Sequence, residues 1–446
     1  FAEDIATGGL GKMPPRMGRD KDGHHVYLDA VLPWLRNQQD ASSELEQDNL
    51  AVPFTEAFWG LKNFPRLSSP VWTWDVVLNG NDVADALKMN TSSGYNSFGV
   101  SLKRQLVRPQ GDRWVMHAHV HAKMESYLNA LKAGVPISEC MSILDRVAYT
   151  TFKDEKRKPG KLPRVFCVPP VAIVLLMRKL FGPVFKELTA MPIHYQTGVG
   201  LSPFEEWSSL MEHMGGPNAQ VTATDMSGYD QNLNKLAKRA AATMLMGAAR
   251  RAGMGEDDQV AARAILEWWL SMPMAFVGFV VEMTRAIGSG VPGTSFLGGF
   301  AHIYGHCVAL AMAKSDRPLA ELAQVDERTQ YVHFDLEIDS LLAGLDRLIT
   351  YSDDALKEPM TERVVDRYCE VWKSFFGVTV VHATDKTKKP HPEPIGEVDF
   401  LKRRFETHQD QVLAPLDMAS IVNAVCWHKN DKSDAVALSE VLPTVA

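Results

Sequence analysis

Cysteine is sparse and poorly arranged for cross-linking. The five residues Cys140, Cys167, Cys307, Cys369 and Cys426 are odd in number, scattered, and form no CxxC pair. That spacing excludes a disulfide framework and a thiolate zinc site, and the expectation is reduced thiols in an intracellular protein. The chain opens Phe1-Ala2-Glu3-Asp4 without a basic region followed by an apolar stretch, so no signal peptide is expected. Processing from a larger precursor would account for the missing initiator Met. The apolar run Val165 to Met177 has only 13 residues and carries Pro169-Pro170, too short and broken to span a bilayer, and no transmembrane segment is expected. Nucleotide fingerprints are also missing: Gly198-Val199-Gly200 stands alone, and Gly160 to Arg164 lacks the rest of a Walker loop. No repeat period or low-complexity tract is present.

What remains is an ordinary folded composition. With 446 residues, 46% hydrophobic and 23% charged, the chain is too long for one core, and two to four lobes are expected. A net charge of -7 counts against nucleic acid as a partner unless positive charge is gathered locally. It is gathered between Lys153 and Arg164, where KDEKRKPGKLPR sets six cations against two anions. Such a strip faces either phosphate or plain solvent.

Residues 1 to 150 mix short apolar runs with turn signals such as Thr91-Ser92-Ser93-Gly94-Tyr95 and predict an irregular, mixed lobe. Helical spacing from Asn232 to Leu270, broken at Gly253 and Gly255, predicts two helices. Met274 to Met283 reads as a strand, and Phe296 to Ala313 as a buried helix after a glycine-rich turn. Leu345 to Tyr351 and Ala355 to Lys357 read as strands meeting at Ser352-Asp353-Asp354. A helix from Thr361 to Phe376 and a strand from Val378 to His382 complete an α+β core.

Three elements bear on chemistry. A strand from Val221 to Thr224 leads into Asp225-Met-Ser-Gly-Tyr-Asp230; Ser289-Gly290-Val291-Pro292-Gly293-Thr294 follows; Asp353-Asp354 comes last. Hard cations such as Mg²⁺ prefer carboxylate oxygens and substrate phosphates. Two-ion nucleotidyl transfer needs carboxylates from separate strands side by side, which Asp225 and Asp353 would supply, with Asp354 at the rim. Each piece is common by chance, since Asp suits turns, and only their conjunction carries weight. His302 and His306 stand at i and i+4 beside Cys307, but without the Glu of HExxH they read as packing residues.

In that order the motifs resemble those of viral RNA-dependent RNA polymerases, closest to picornavirus-like positive-strand replicases, from about Thr91 to Trp427. The resemblance implies a right-hand fold of fingers, palm (an antiparallel sheet flanked by helices) and a short thumb. Fingers would occupy 1–190, the first part of the palm 191–231, a helical insertion 232–285, the catalytic palm 286–405 and the thumb 406–446. It implies template contact by Thr91, Ser92, Gly94 and Tyr95, and triphosphate binding by Lys153, Lys161 and Arg164. It further implies metal binding by Asp225, Asp353 and Asp354, ribose recognition by Asp230, and positioning of template and sugar by Ser289, Gly290 and Thr294. Ala383-Thr384-Asp385-Lys386 resembles the segment whose Lys protonates pyrophosphate, and Phe400-Leu401-Lys402-Arg403 the hairpin supporting the primer end through Lys402 and Arg403. Implied cofactors are two Mg²⁺ ions, with Mn²⁺ as the alternative. Implied partners are an RNA template and primer, NTPs, a protein primer and other viral replication proteins, at membrane-associated complexes of the host cytoplasm reached through those partners.

This chain departs from the family at three places. Ser352 stands where picornavirus-like enzymes have Gly, Gly298 where the second palm motif usually has a ribose-reading Asn, and only 43 residues follow Arg403. Ribose selection is therefore expected from Asp230 with Ser289 and Thr294, or from a residue supplied elsewhere, and the thumb is expected to be compact or cut short. Two other readings stay open: a reverse transcriptase, and a catalytically silent RNA-binding scaffold.

Overall fold

The computed structural model describes residues 30–32, 34–35, 45–82, 85–152, 164–276, 279–409, 411–416 and 420–421. At its centre the strand Gln220–Ser227 carries six buried residues between exposed ends. On one side it pairs antiparallel with Asp354–Lys357, which pairs in turn with Ile349–Tyr351. On the other it pairs with Thr379–His382 and Pro392–Pro394. Tyr351 faces Asp354 across the hairpin, so the acidic tip is a tight turn, as its polar turn formers require.

The helix Thr294–Lys314 lies behind this sheet, packed against Lys235–Arg251 and Glu362–Phe376. A Cβ on Gly305 would come within 2.4 Å of the Trp372 ring, so glycine lets the two helices close up around that indole. The helix Thr294–Lys314, rather than Val165 to Met177, is the described segment apolar enough in length and composition to cross a membrane; 94% of its apolar window is buried in the core. Its His302 and His306 are packing residues: His302 Nδ1 donates to the Ser352 carbonyl at 2.9 Å, and His306 Nε2 to that of Gly344 at 3.1 Å. The four described cysteines are free.

A second sheet orders Val165–Val168, Ala148–Phe152, Met272–Phe276 and Phe279–Met283. The single strand expected over Met274 to Met283 is a hairpin instead, with Phe276 opposite Phe279. The Gly278 in that run is a turn signal that the apolar pattern overrode. The described residues between 45 and 150 are more regular than expected, with long helices at Ala51–Lys62 and Ala118–Lys132. Gln47–Asp48 adds a parallel strand to Tyr331–Phe334.

Buried Asp145 ties this lobe together. Its carboxylate accepts from Ser97 Oγ, Phe98 N, Tyr127 Oη and Ser142 Oγ at 2.7–2.8 Å and pairs with Lys123 Nζ at 2.8 Å. These donors hold its pKa below the ordinary 3.8 although burial works against them. Its contribution to stability is present above the unfolded pKa and is lost as pH falls through the lower folded value. Asp145→Ala would leave a buried hydroxyl and amide set unpaired and is expected to cost about 3–5 kcal/mol, measured by denaturant titration.

Candidate active site

Asp225 lies near the end of the central strand, opposite Val381 in register, while Ala355 is opposite Thr224 on the other flank. One further step along that antiparallel ladder sets Asp354 beside Asp225. The two acidic motifs, far apart in sequence, thus meet on neighbouring strands. Their electrostatics register the meeting. Burial, then the charges of Asp225 and Asp230, push the Asp353 carboxyl up to about 6. Burial, then Asp353 and Asp225, push Asp354 up to about 7. Asp354 thus shares the buried, like-charged surroundings of Asp353.

This carboxylate set fits divalent cations. Asp225 Oδ1 is buried with no hydrogen-bond partner among the described residues, a costly state that a cation would relieve. Asp225 Oδ2 meets the ammonium of Lys386, which arrives on the loop after Thr379–His382. Both raised carboxyls favour the protonated form, so in the metal-free protein their contribution to stability is full below the unfolded pKa and lost as pH rises through about 6 to 7. Cations need the ionised forms, so metal affinity rises across that window. Mg²⁺ is expected to raise the melting temperature more at about pH 8 than at about pH 5.5, which paired thermal scans will show.

Asp230 sits on the short helix Tyr229–Asn232, entered through Gly228 at φ 65°. Its backbone carbonyl accepts from Ile287 N at 3.3 Å, tying it to the glycine turn. In that turn Thr294 Oγ1 donates to the Gly288 carbonyl at 2.9 Å, and Ser289 is exposed. A Cβ on Gly290 would fall 1.8 Å from the Cys167 carbonyl oxygen, so only glycine lets the turn lie against the second sheet.

Gly290 also lines a cavity of about 630 Å³ together with Thr91, Ser92, Lys103 and Arg178. Burial, with Arg178 nearby, pushes the Lys103 ammonium down to about 8, and its Nζ donates to Thr91 Oγ1 at 2.8 Å. Arg178 donates to the Val77 and Asp85 carbonyls, and Asp85 shares the lining, which partly offsets the positive charge. Thr91 and Ser92, expected to contact template, thus share this cavity with Lys103 and Arg178, which lack a motif of their own. Gly94 and Tyr95 take supporting places: a Cβ on Gly94 would meet Pro170 Cα at 2.5 Å, and the Tyr95 ring lies 6.0 Å from that of Tyr149.

Lys153 and Lys161 lie outside the described residues, and Arg164 is exposed just before Val165–Val168. Lys402 is exposed at φ 62°, and its charge reaches Asp354. Arg403 donates from Nη1 to the Ala414 carbonyl at 2.6 Å, beside the hairpin Glu406–His408 and Gln411–Leu413. His382, His391 and Glu393 form a further cluster. His382 Nδ1 accepts from Asp385 N at 3.2 Å, so its Nε2 carries the proton donated to Glu393 Oε2 at 2.8 Å. That tautomer braces the Lys386 loop instead of ligating metal.

An acidic hairpin set against a central acidic strand and backed by helices is a palm-type arrangement. A sequence model described as viral RNA-dependent RNA polymerase matches residues 5–443, and the chain belongs to that family. Among relatives, the genome polyprotein of human hepatitis A virus genotype IIA (isolate CF-53) is 22% identical over 366 residues, covering 80% of this chain. The RNA1 polyprotein of Arabis mosaic virus (isolate NW) is 25% identical over 306 residues, covering 66%. The chain spans only 15% and 12% of these two polyproteins. The solved Sicinivirus 3Dpol RNA dependent RNA polymerase superposes with a TM-score of 0.67 at 16% identity, covering 94% of this chain and 81% of that one. That likeness establishes the right-hand polymerase fold.

Proposed function

We propose that this chain copies an RNA template into RNA during replication of a viral genome, adding NTPs to a primer's 3′-end and releasing pyrophosphate. The observation that carries this reading is the convergence of Asp225, Asp353 and Asp354, where burial first and then the neighbouring charges raise two of the three carboxyls. These residues would hold two Mg²⁺ ions, or Mn²⁺, which when bound activate the attacking hydroxyl and neutralise the leaving pyrophosphate. Lys386 protonates pyrophosphate, while Lys153, Lys161 and Arg164 bind the triphosphate by point charge and guanidinium fork. Thr91, Ser92, Gly94, Tyr95 and Gly290 guide the template, with Lys103 and Arg178 meeting its phosphates, and Lys402 supports the primer end. The boundaries of fingers, palm and thumb given above belong to this proposal. So do a protein primer, companion replication proteins and a site of action at host cytoplasmic membranes.

Primer extension on an RNA template, with NTPs or dNTPs and with Mg²⁺ or Mn²⁺, tests the reading against Asp353→Ala. Extension with NTPs that the variant loses supports it. A DNA product from dNTPs makes the chain a reverse transcriptase, and RNA binding with no extension makes it a scaffold.

A further inference from the structure

The two departures at Ser352 and Gly298, distant in sequence, touch in the fold. A Cβ built on Gly298 would lie 2.5 Å from Ser352 Oγ and 3.3 Å from Ser352 Cβ. The space that any side chain at 298 would need is thus filled by the Ser352 hydroxyl. Ser352 holds φ 56°, a left-handed conformation that glycine adopts freely and L-residues adopt at a cost. Ser352 carries a side chain there against that cost.

The surroundings fix where this hydroxyl stands. One turn along the helix from Gly298, His302 Nδ1 donates to the Ser352 carbonyl at 2.9 Å. Tyr229 Oη donates to the Gly298 carbonyl at 2.7 Å, and Tyr229 directly precedes Asp230. The helix, the Asp230 turn and the acidic hairpin are therefore locked together at Gly298. Ser352 Oγ itself makes no hydrogen bond among the described residues, and it adjoins Asp353. Of the two hydroxyls expected to read sugar, Thr294 already donates to Gly288 and Ser289 is exposed on the glycine turn.

We infer that Ser352 is a specificity-determining residue: its hydroxyl, given room by Gly298, hydrogen-bonds a ribose hydroxyl at the catalytic centre. The group that reads sugar is supplied by the hairpin instead of the helix. The inference rests on the polymerase reading. The ribose is either that of the incoming nucleotide or that of the primer terminus, since both lie beside the acidic cluster during transfer.

A double-mutant cycle of Ser352→Gly, Gly298→Ala and the pair tests it, with the purified chain, an RNA template and primer, and NTPs. One arm compares NTP with dNTP incorporation; the other compares primers ending in a ribo- or a 2′-deoxynucleotide. Ser352→Gly relieves backbone strain and Gly298→Ala improves helix propensity, so the substitutions favour the local conformations on each side. Ser352→Gly is expected to reduce sugar discrimination about tenfold in one arm, the scale of a lost hydrogen bond. The arm affected identifies the ribose. Gly298→Ala, by displacing the hydroxyl, should shift the same ratio in the same direction, and the pair should discriminate no worse than Ser352→Gly alone. Unchanged ratios in an active Ser352→Gly protein, or effects that add, overturn the inference. A parent chain that extends no primer at all overturns the polymerase reading instead.

Discussion

Asp353→Asn is expected to lower primer extension by at least about 10³-fold and, in the same molecule, to raise the melting temperature of the metal-free protein by about 2 °C. The two effects have one cause. Asp353 is pushed up to about 6 by burial and by the charges of Asp225 and Asp230, and it contributes in turn to the rise of Asp354 to about 7. At neutral pH the folded protein therefore holds carboxylates together at a cost. Their value lies in metal binding, where losing one ligand removes several kcal/mol of transition-state charge stabilisation, at about 1.4 kcal/mol per factor of ten. Asn keeps the shape and discards the charge, so repulsion falls while the cation site is broken. Stability traded against activity in this way is common at catalytic centres. Thermal scans with and without Mg²⁺, beside extension rates, measure both halves. A variant that keeps extending, or that melts lower without metal, removes the repulsive cluster from the account.

The acidic residues could be found in the sequence because each motif is local. The turn formers around Asp353-Asp354 and the β-rich run before Asp225 declare their structure within a few residues. The long apolar helix behind them also declares itself, since burial on all sides needs no periodicity. What escaped is carried by contacts between remote segments. The pairing of Gln47–Asp48 with Tyr331–Phe334 leaves no mark on either short strand. Asp145 looks like any surface acid until the hydroxyls of Ser97, Tyr127 and Ser142 close around it. The same holds for Gly298 and Ser352: each reads as a separate departure, and only the fold makes them one.

Lys386→Ala is expected to slow nucleotide addition about 10²- to 10⁴-fold, the range for loss of a positioned general acid, while the apparent affinity for NTP changes by no more than about threefold. The geometry leaves two explanations for such a loss. The Lys386 ammonium lies against Asp225 Oδ2 with its side chain 62% exposed, so it could serve as a proton donor or as a counter-ion for Asp225. Lys386→Arg separates them. Guanidinium preserves the charge and its reach but holds its proton beyond pH 12 or so, and cannot give it up to pyrophosphate. A proton donor is therefore not rescued by Arg. A counter-ion is rescued nearly in full. The loop's own construction favours the donor role: His382 accepts from Asp385 N and is itself held by Glu393, fixing the backbone one residue before Lys386. A brace that close constrains direction, which proton transfer requires.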